Sequence, residues 1–176
     1  SKRMNFFIIG MMGSWKSTVS RMLASKLKYD LVDIDQDIQE FTGLSISGIF
    51  ELYGEQGFRN MESKYFKEIA KEDNKVISTG GGIVISKENR EILKRKGTSI
   101  YLKASPDSLA KRIKNFDNRP LLNQTSKKTI NSQLSVILRN REKFYKECSL
   151  YVVDTDNSKP NEILVRLLEI IENERI

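Results

Sequence analysis

The residues Gly10-Met11-Met12-Gly13-Ser14-Trp15-Lys16-Ser17-Thr18 constrain this chain more than any others. In a G-x-x-x-x-G-K-[ST] loop, backbone N–H groups wrap phosphate oxygens, the lysine reaches the outer phosphates, and the hydroxyl residue ligates Mg²⁺. Gly10, Lys16 and Ser17 meet those requirements, and the run Gly13, Ser14, Trp15, Lys16, Ser17, Thr18 is expected against the nucleotide. Trp15 stands where the pattern asks for glycine. Glycine there lets the backbone lie against the phosphates without a Cβ, and a larger residue forced into unfavourable dihedrals costs roughly 1–3 kcal/mol. At about 1.4 kcal/mol per tenfold, that strain corresponds to some five- to hundredfold in nucleotide binding. Two outcomes stay open: the indole overlaps the nucleotide, or it points outward and leaves the backbone N–H usable.

The flanking residues supply the context the loop needs. Asn5-Phe6-Phe7-Ile8-Ile9 is an apolar run of buried-strand type, and Ser17 to Leu27 reads as a helix. Within it Val19, Met22, Leu23 and Leu27 form one apolar face, while Arg21, Lys26 and Lys28 are polar. Strand, loop and helix together deliver phosphates to a helix N-terminus, where the dipole favours anions.

A chain of 176 residues is the size of one domain with its own core, and 39% hydrophobic with 30% charged residues excludes intrinsic disorder. No run has the length of a membrane span, and no signal-peptide pattern is present, so cytoplasmic residence is the expectation. One cysteine, Cys148, cannot form an internal disulfide and reads as a buried or half-buried small side chain. The net charge of +7 comes from Lys and Arg spread along the chain, which favours anionic small molecules over nucleic acid. Histidine is absent, which excludes His triads and His-metal cages and leaves a carboxylate as general base.

Short apolar runs alternate with helical patterns, the signature of a parallel sheet between helices. Strands are predicted at Phe6-Ile9, Leu31-Asp33, Lys75-Ser78, Ser99-Leu102 and Leu150-Val153. Helices are predicted at Ser17-Leu27, Asp35-Thr42, Ile46-Tyr53, Gln56-Glu72, Lys87-Lys96, Ser105-Lys114, Thr129-Lys146 and Pro160-Glu172. In the last, Ile163, Leu164, Leu167, Leu168 and Ile171 make a packing stripe.

Asp33 and Asp35 fall at the C-terminal end of the second strand, the edge where open α/β sheets bind ligands. Strand alternation would point them the same way. One would position Mg²⁺ and the other take a proton from an attacking hydroxyl; helix capping is the competing role for Asp35 and Asp37. Gly80-Gly81-Gly82 after the third strand permits close backbone approach to a ligand. Asn118-Arg119-Pro120-Leu121-Leu122 opens a polar stretch through Lys128 that reads as a mobile lid, about 114–128, whose arginine neutralises transition-state charge.

Taken in order, the phosphate loop, Asp33-Ile34-Asp35, Gly54-Glu55-Gln56-Gly57-Phe58-Arg59, Gly80-Gly81-Gly82 and Arg119-Pro120-Leu121-Leu122 form a set that resembles the shikimate kinases, from first strand to last helix. The resemblance implies a single domain over 1–176 with a three-layer α/β/α P-loop kinase fold, a five-stranded parallel sheet and a mobile lid. It implies MgATP-dependent phosphorylation of the 3-hydroxyl of shikimate by a monomer, with ATP and Mg²⁺ bound and no nucleic-acid or membrane partner. It casts Lys16, Asp35 and Arg119 as catalytic, and Ser17 and Asp33 as Mg²⁺ ligands. Asp35, Arg59, Gly81, Gly82 and Arg141 would bind shikimate, with the two guanidinium forks on its carboxylate. Arg112 and the segment from Asp154 to Pro160 would wall the adenine. Two alternatives accompany this reading: a shikimate-binding protein of the same fold impaired by Trp15, and a kinase of another small carboxylate such as gluconate.

Overall fold

The computed structural model describes residues 4–113, 122 and 127–174. Its first strand, β1 (Asn5–Ile9), leads through the glycine loop into α1 (Lys16–Leu27), followed by β2 (Asp30–Asp33), α2 (Ile34–Thr42) and α3 (Ile46–Ile69). Next come β3 (Lys75–Ser78), a single 3₁₀ turn at Ile83–Ile85, α4 (Lys87–Arg95), β4 (Gly97–Lys103) and α5 (Pro106–Arg112). The chain finishes with α6 (Lys127–Cys148), β5 (Tyr151–Asp154) and α7 (Pro160–Glu174).

All strand pairs are parallel and the sheet order is β2-β3-β1-β4-β5. Every strand end that continues into a loop toward the next helix therefore faces one edge, where the phosphate loop, Asp33 and the triple glycine meet. The period-2 pattern of β1 divides the core in two. Phe6 and Ile8 face a cluster with Val19 and Leu23 of α1 and Ile163, Leu164, Leu167 and Ile171 of α7. Phe7 and Ile9 face the larger cluster, which collects Ile34 and Ile38, Phe58 and Phe66, Leu109, and Leu134 and Tyr145. The stripes expected on α1 and α7 are thus the ones buried.

The five strands and the helix series agree with the sequence reading to within a few residues at the ends. The two helices expected at Ile46-Tyr53 and Gln56-Glu72 run together as α3, but Gly54 breaks the helical path with φ 73° and ψ 173°. Only glycine takes that conformation without strain. Residues 114–120, 121 and 123–126, which hold most of the expected lid and Arg119, lie outside the described residues. No helix among the described residues is long and apolar enough to cross a membrane.

One polar residue staples the sheet. Asn5 is buried, its Nδ2 donates to the Glu72 carbonyl at 2.7 Å, and its Oδ1 accepts from the Lys75 N–H at 3.0 Å. It thereby fixes where β3 starts beside β1. Asn5→Ala strands both backbone groups and should cost about 1–3 kcal/mol, read as a lower urea midpoint with an unchanged m-value.

Candidate active site

The phosphate loop is held open by two glycines with positive φ. Gly10 has φ 147°, and a Cβ there would lie 2.6 Å from the Leu102 carbonyl oxygen; Gly13 has φ 82° and would meet Ile113 and Leu109 at 3.0 and 3.1 Å. The loop is consequently wedged against the end of β4 and the end of α5. Lys16 is only 9% exposed, and its Nζ donates to the carbonyls of Gly10 and Met11, each at 2.8 Å. The ammonium is thus stored inside the loop it serves.

Trp15 takes the backbone conformation that its sequence position demands. It takes φ 72° and ψ 16°, the left-handed conformation that glycine would supply, and α1 starts normally behind it with the Val19 N–H donating to the Trp15 carbonyl at 2.9 Å. Left-handed backbone costs a non-glycine residue about 1–2 kcal/mol. The indole packs against the α1/α7 cluster, and the Arg112 guanidinium lies 5.4 Å from its ring centroid. The cation–π contact contributes about 0.5–1 kcal/mol against that strain, while the indole Nε1–H is buried with no hydrogen-bond partner among the described residues. The ring still borders the cavity.

Ser17 Oγ donates to Asp33 Oδ2 at 2.9 Å, joining the loop to the end of β2. Asp33 also caps α2, its Oδ1 accepting from the Gln36 N–H at 3.3 Å. Capping therefore falls to Asp33 instead of Asp35 or Asp37, and Asp37 accepts from the Tyr65 hydroxyl. Strand alternation is not what unites Asp33 and Asp35, because β2 ends at Asp33 and Asp35 sits in the first turn of α2. That turn brings both to one cavity.

The triple glycine does its work through missing side chains. A Cβ on Gly80 would stand 2.8 Å from Asp35 Oδ1 and 2.9 Å from Glu62 Oε2, one on Gly81 would stand 3.3 Å from Arg141 Nη1, and one on Gly82 would collide with the Arg59 guanidinium. Asp35, Arg141 and Arg59, singled out separately along the sequence, thus converge on three consecutive residues. Arg141 is buried at 6% exposure. Arg59 reaches Glu62 at 3.0 Å and Glu55 at 3.6 Å.

Glu62 is the residue whose role the sequence reading left out, although the spacing of Arg59 and Glu62 by three on a helix places them side by side. Its carboxyl is completely buried, with Oε2 lacking a hydrogen-bond partner among the described residues. Burial pushes it up to about 7, the Asp35 charge adds to the rise, and Arg59 and Arg141 oppose it. Cys148 conforms to its plain reading: it is buried, and burial pushes its thiol up to about 11.

A cavity of about 350 Å³ runs from Trp15 and Arg112 past Lys16, Ser17 and Thr18 to Asp33, Asp35 and Gly81. Arg59, Gly82 and Arg141 adjoin it through the glycine turn. Arg112 is anchored by donating to the Thr155 carbonyl at 2.6 Å and the Thr155 hydroxyl at 3.0 Å, so one residue of the segment expected at the adenine braces it. Pro160 opens α7 and is not among the residues lining the cavity. Gln36 and Gln39, which the sequence did not mark, do line it.

The raised Glu62 carboxyl carries a signed consequence. A carboxyl that ionises near 7 when folded and near 4.5 when unfolded contributes fully below pH 4.5, and the contribution is lost as pH rises through 7. Between pH 4 and pH 8 the loss amounts to about 3 kcal/mol. Urea denaturation of Glu62→Gln beside the unmodified protein should show the variant gaining by that order over this range, since glutamine does not titrate.

With that geometry established, three comparisons bear on the chain. The family model described as shikimate kinase matches residues 12–172. A shikimate kinase of Enterococcus faecalis is 42% identical over 164 residues, covering 92% of this chain and 95% of the relative. One of Chromobacterium violaceum is 38% identical over 165 residues, covering 94% and 88%. Among solved structures, a shikimate kinase from Acinetobacter baumannii in complex with shikimate superposes with a TM-score of 0.93 at 32% identity, covering 99% of this chain and 96% of that one. Shikimate kinase from Aquifex aeolicus gives 0.81 at 31%, with 98% and 99% covered. The chain belongs to the shikimate kinase family.

Proposed function

We propose that this protein transfers the γ-phosphoryl group of MgATP to the 3-hydroxyl of shikimate, and that the residues converging on Gly80–Gly82 beside the phosphate loop carry the reaction. That convergence is the observation on which the reading rests: a carboxylate and two guanidinium groups meet within one short turn, next to a lysine stored for phosphates.

Arg59 and Arg141 hold the substrate carboxylate, one near the mouth of the turn and one buried, and their planar forks fix its orientation. Gly81 and Gly82 let the substrate ring approach the backbone. Asp35 then faces the substrate hydroxyls and accepts the proton of the attacking one. The phosphates lie on the N–H groups from Gly13 to Thr18 at the start of α1, and Lys16 shifts from the Gly10 and Met11 carbonyls to the outer phosphates as charge moves toward the leaving oxygen. Two hard oxygens, Ser17 Oγ and an Asp33 carboxylate oxygen, already touch, a donor set suited to Mg²⁺, which uses one or two protein oxygens and keeps several waters. Bound there with the nucleotide, the ion supplies charge neutralisation at the phosphates. Arg119, outside the described residues, is assigned to the phosphates by its motif alone, and Arg112 with Trp15 to the nucleoside end of the cavity.

We read the protein as a cytoplasmic monomer that acts on two small molecules, with neither nucleic acid nor membrane as partner. The even spread of Lys and Arg along the chain supports small anionic partners over nucleic acid.

The test is ADP release with MgATP, with shikimate, gluconate or no acceptor, for the unmodified protein, Trp15→Gly and Asp35→Asn. Shikimate-dependent turnover is expected in the unmodified protein, and Asp35→Asn should lose roughly 10²–10⁴-fold in kcat. Trp15→Gly should keep kcat within a few-fold, because tryptophan already holds the glycine conformation. Turnover confined to Trp15→Gly would mean that the indole blocks the phosphates, and no shikimate dependence in either would overturn the substrate.

A further inference from the structure

Arg141 and Tyr145 are four residues apart on α6 and therefore share a face. Tyr145 is 0% exposed, and its hydroxyl donates to the Gly81 carbonyl oxygen while lying 3.7 Å from Met11 Sδ in the phosphate loop. The Arg141 guanidinium lies close enough to act electrostatically on the same hydroxyl, and its Nη1 is 3.3 Å from where a Gly81 Cβ would stand. A single phenolic oxygen thus donates to the glycine turn with the guanidinium beside it. Because the peptide joining Gly81 and Gly82 is planar and trans, fixing the Gly81 carbonyl also fixes the opposite direction of the Gly82 N–H.

The ring that carries this oxygen is braced from behind. Tyr145 stacks on Tyr101 with centroids 5.0 Å apart and planes at 25°, and the Tyr101 hydroxyl donates to Glu142. Tyr101 itself is set in β4 opposite Ile9, the last residue before the phosphate loop. Burial pushes the Tyr145 phenol up, so it remains a donor across the working pH range.

We propose that Tyr145 is a positioning residue for the acceptor substrate: its hydroxyl locks the Arg141 guanidinium and the Gly81–Gly82 peptide in one register, so that both meet the substrate already oriented. Tyr145 touches neither reactant. The proposal rests on the functional reading above, and it separates Tyr145 from Tyr101, whose hydroxyl donates to Glu142 and not to the glycine turn.

The experiment is steady-state kinetics of Tyr145→Phe and Tyr101→Phe beside the unmodified protein, with melting curves to place each assay below its midpoint. Tyr145→Phe removes one oxygen and keeps the ring; it should raise the shikimate KM roughly tenfold or more while the ATP KM stays within about twofold. Tyr101→Phe should lower the melting midpoint comparably and leave both KM values within about twofold. An unchanged shikimate KM in Tyr145→Phe, a parallel rise in both KM values, or the same rise in Tyr101→Phe overturns the proposal. Should Tyr145→Phe fail to fold, the unmodified protein still decides: the Tyr145 hydroxyl proton should give a slowly exchanging resonance that moves on adding shikimate but not on adding ADP, and a resonance indifferent to shikimate sinks the idea. Absence of shikimate-dependent turnover in the unmodified protein overturns the functional reading itself, and this proposal falls with it.

Discussion

The close approach of four long side chains to Gly80, Gly81 and Gly82 is the constraint from which the rest of this site follows. Asp35 comes from α2, Arg59 and Glu62 from α3 and Arg141 from α6, so the turn gathers residues spread from position 35 to position 141 of the chain. Each reaches the turn only because no Cβ stands in its way, and the turn is held at the sheet edge by β3, whose partner β1 feeds the phosphate loop. The glycine turn and the phosphate loop are thereby referred to one sheet. Geometry of this kind lets binding energy go into orientation instead of into ordering mobile parts.

Charge follows the same plan. Two guanidinium groups and two carboxyl groups occupy a small, poorly solvated volume, and the structure balances them unequally: Asp35 faces the cavity, while Glu62 is sealed behind Arg59. A sealed carboxyl beside a cation holds that cation in place. Lys16 is treated in the same spirit, its ammonium satisfied by two backbone carbonyls that it can exchange for phosphate oxygens.

Much of this was legible in the sequence, for identifiable reasons. Local signals of strand, glycine loop and helix do not depend on distant partners, so β1, α1 and the apolar stripe of α7 emerged from periodicity alone. Gly54 was legible as a break because backbone freedom is written in the residue type. Ser17 and Asp33 were both assigned to Mg²⁺ at the outset, and the structure brings them to 2.9 Å of each other. What sequence could not convey is contact across large separations. Tyr145 meets Gly81 across 64 positions and Met11 across 134, and nothing about a tyrosine near the end of a helix announces either. Glu62 was visible as a neighbour of Arg59, but its burial, and with it the raised carboxyl, required the third dimension. Asp33 and Asp35 were expected together for the wrong geometric reason, since the turn of α2 and not the pleat of β2 unites them.

The placement of Trp15 has one more effect. It is the chain's only tryptophan, so the long-wavelength ultraviolet emission of the whole protein originates at the phosphate loop. Its ring lies beside the Arg112 guanidinium at the edge of the cavity, where a bound nucleotide would alter both solvent access and local charge. The residue that departs from the loop pattern thus gives the chain a built-in optical label at the phosphate loop, readable without dye, fusion or mutation.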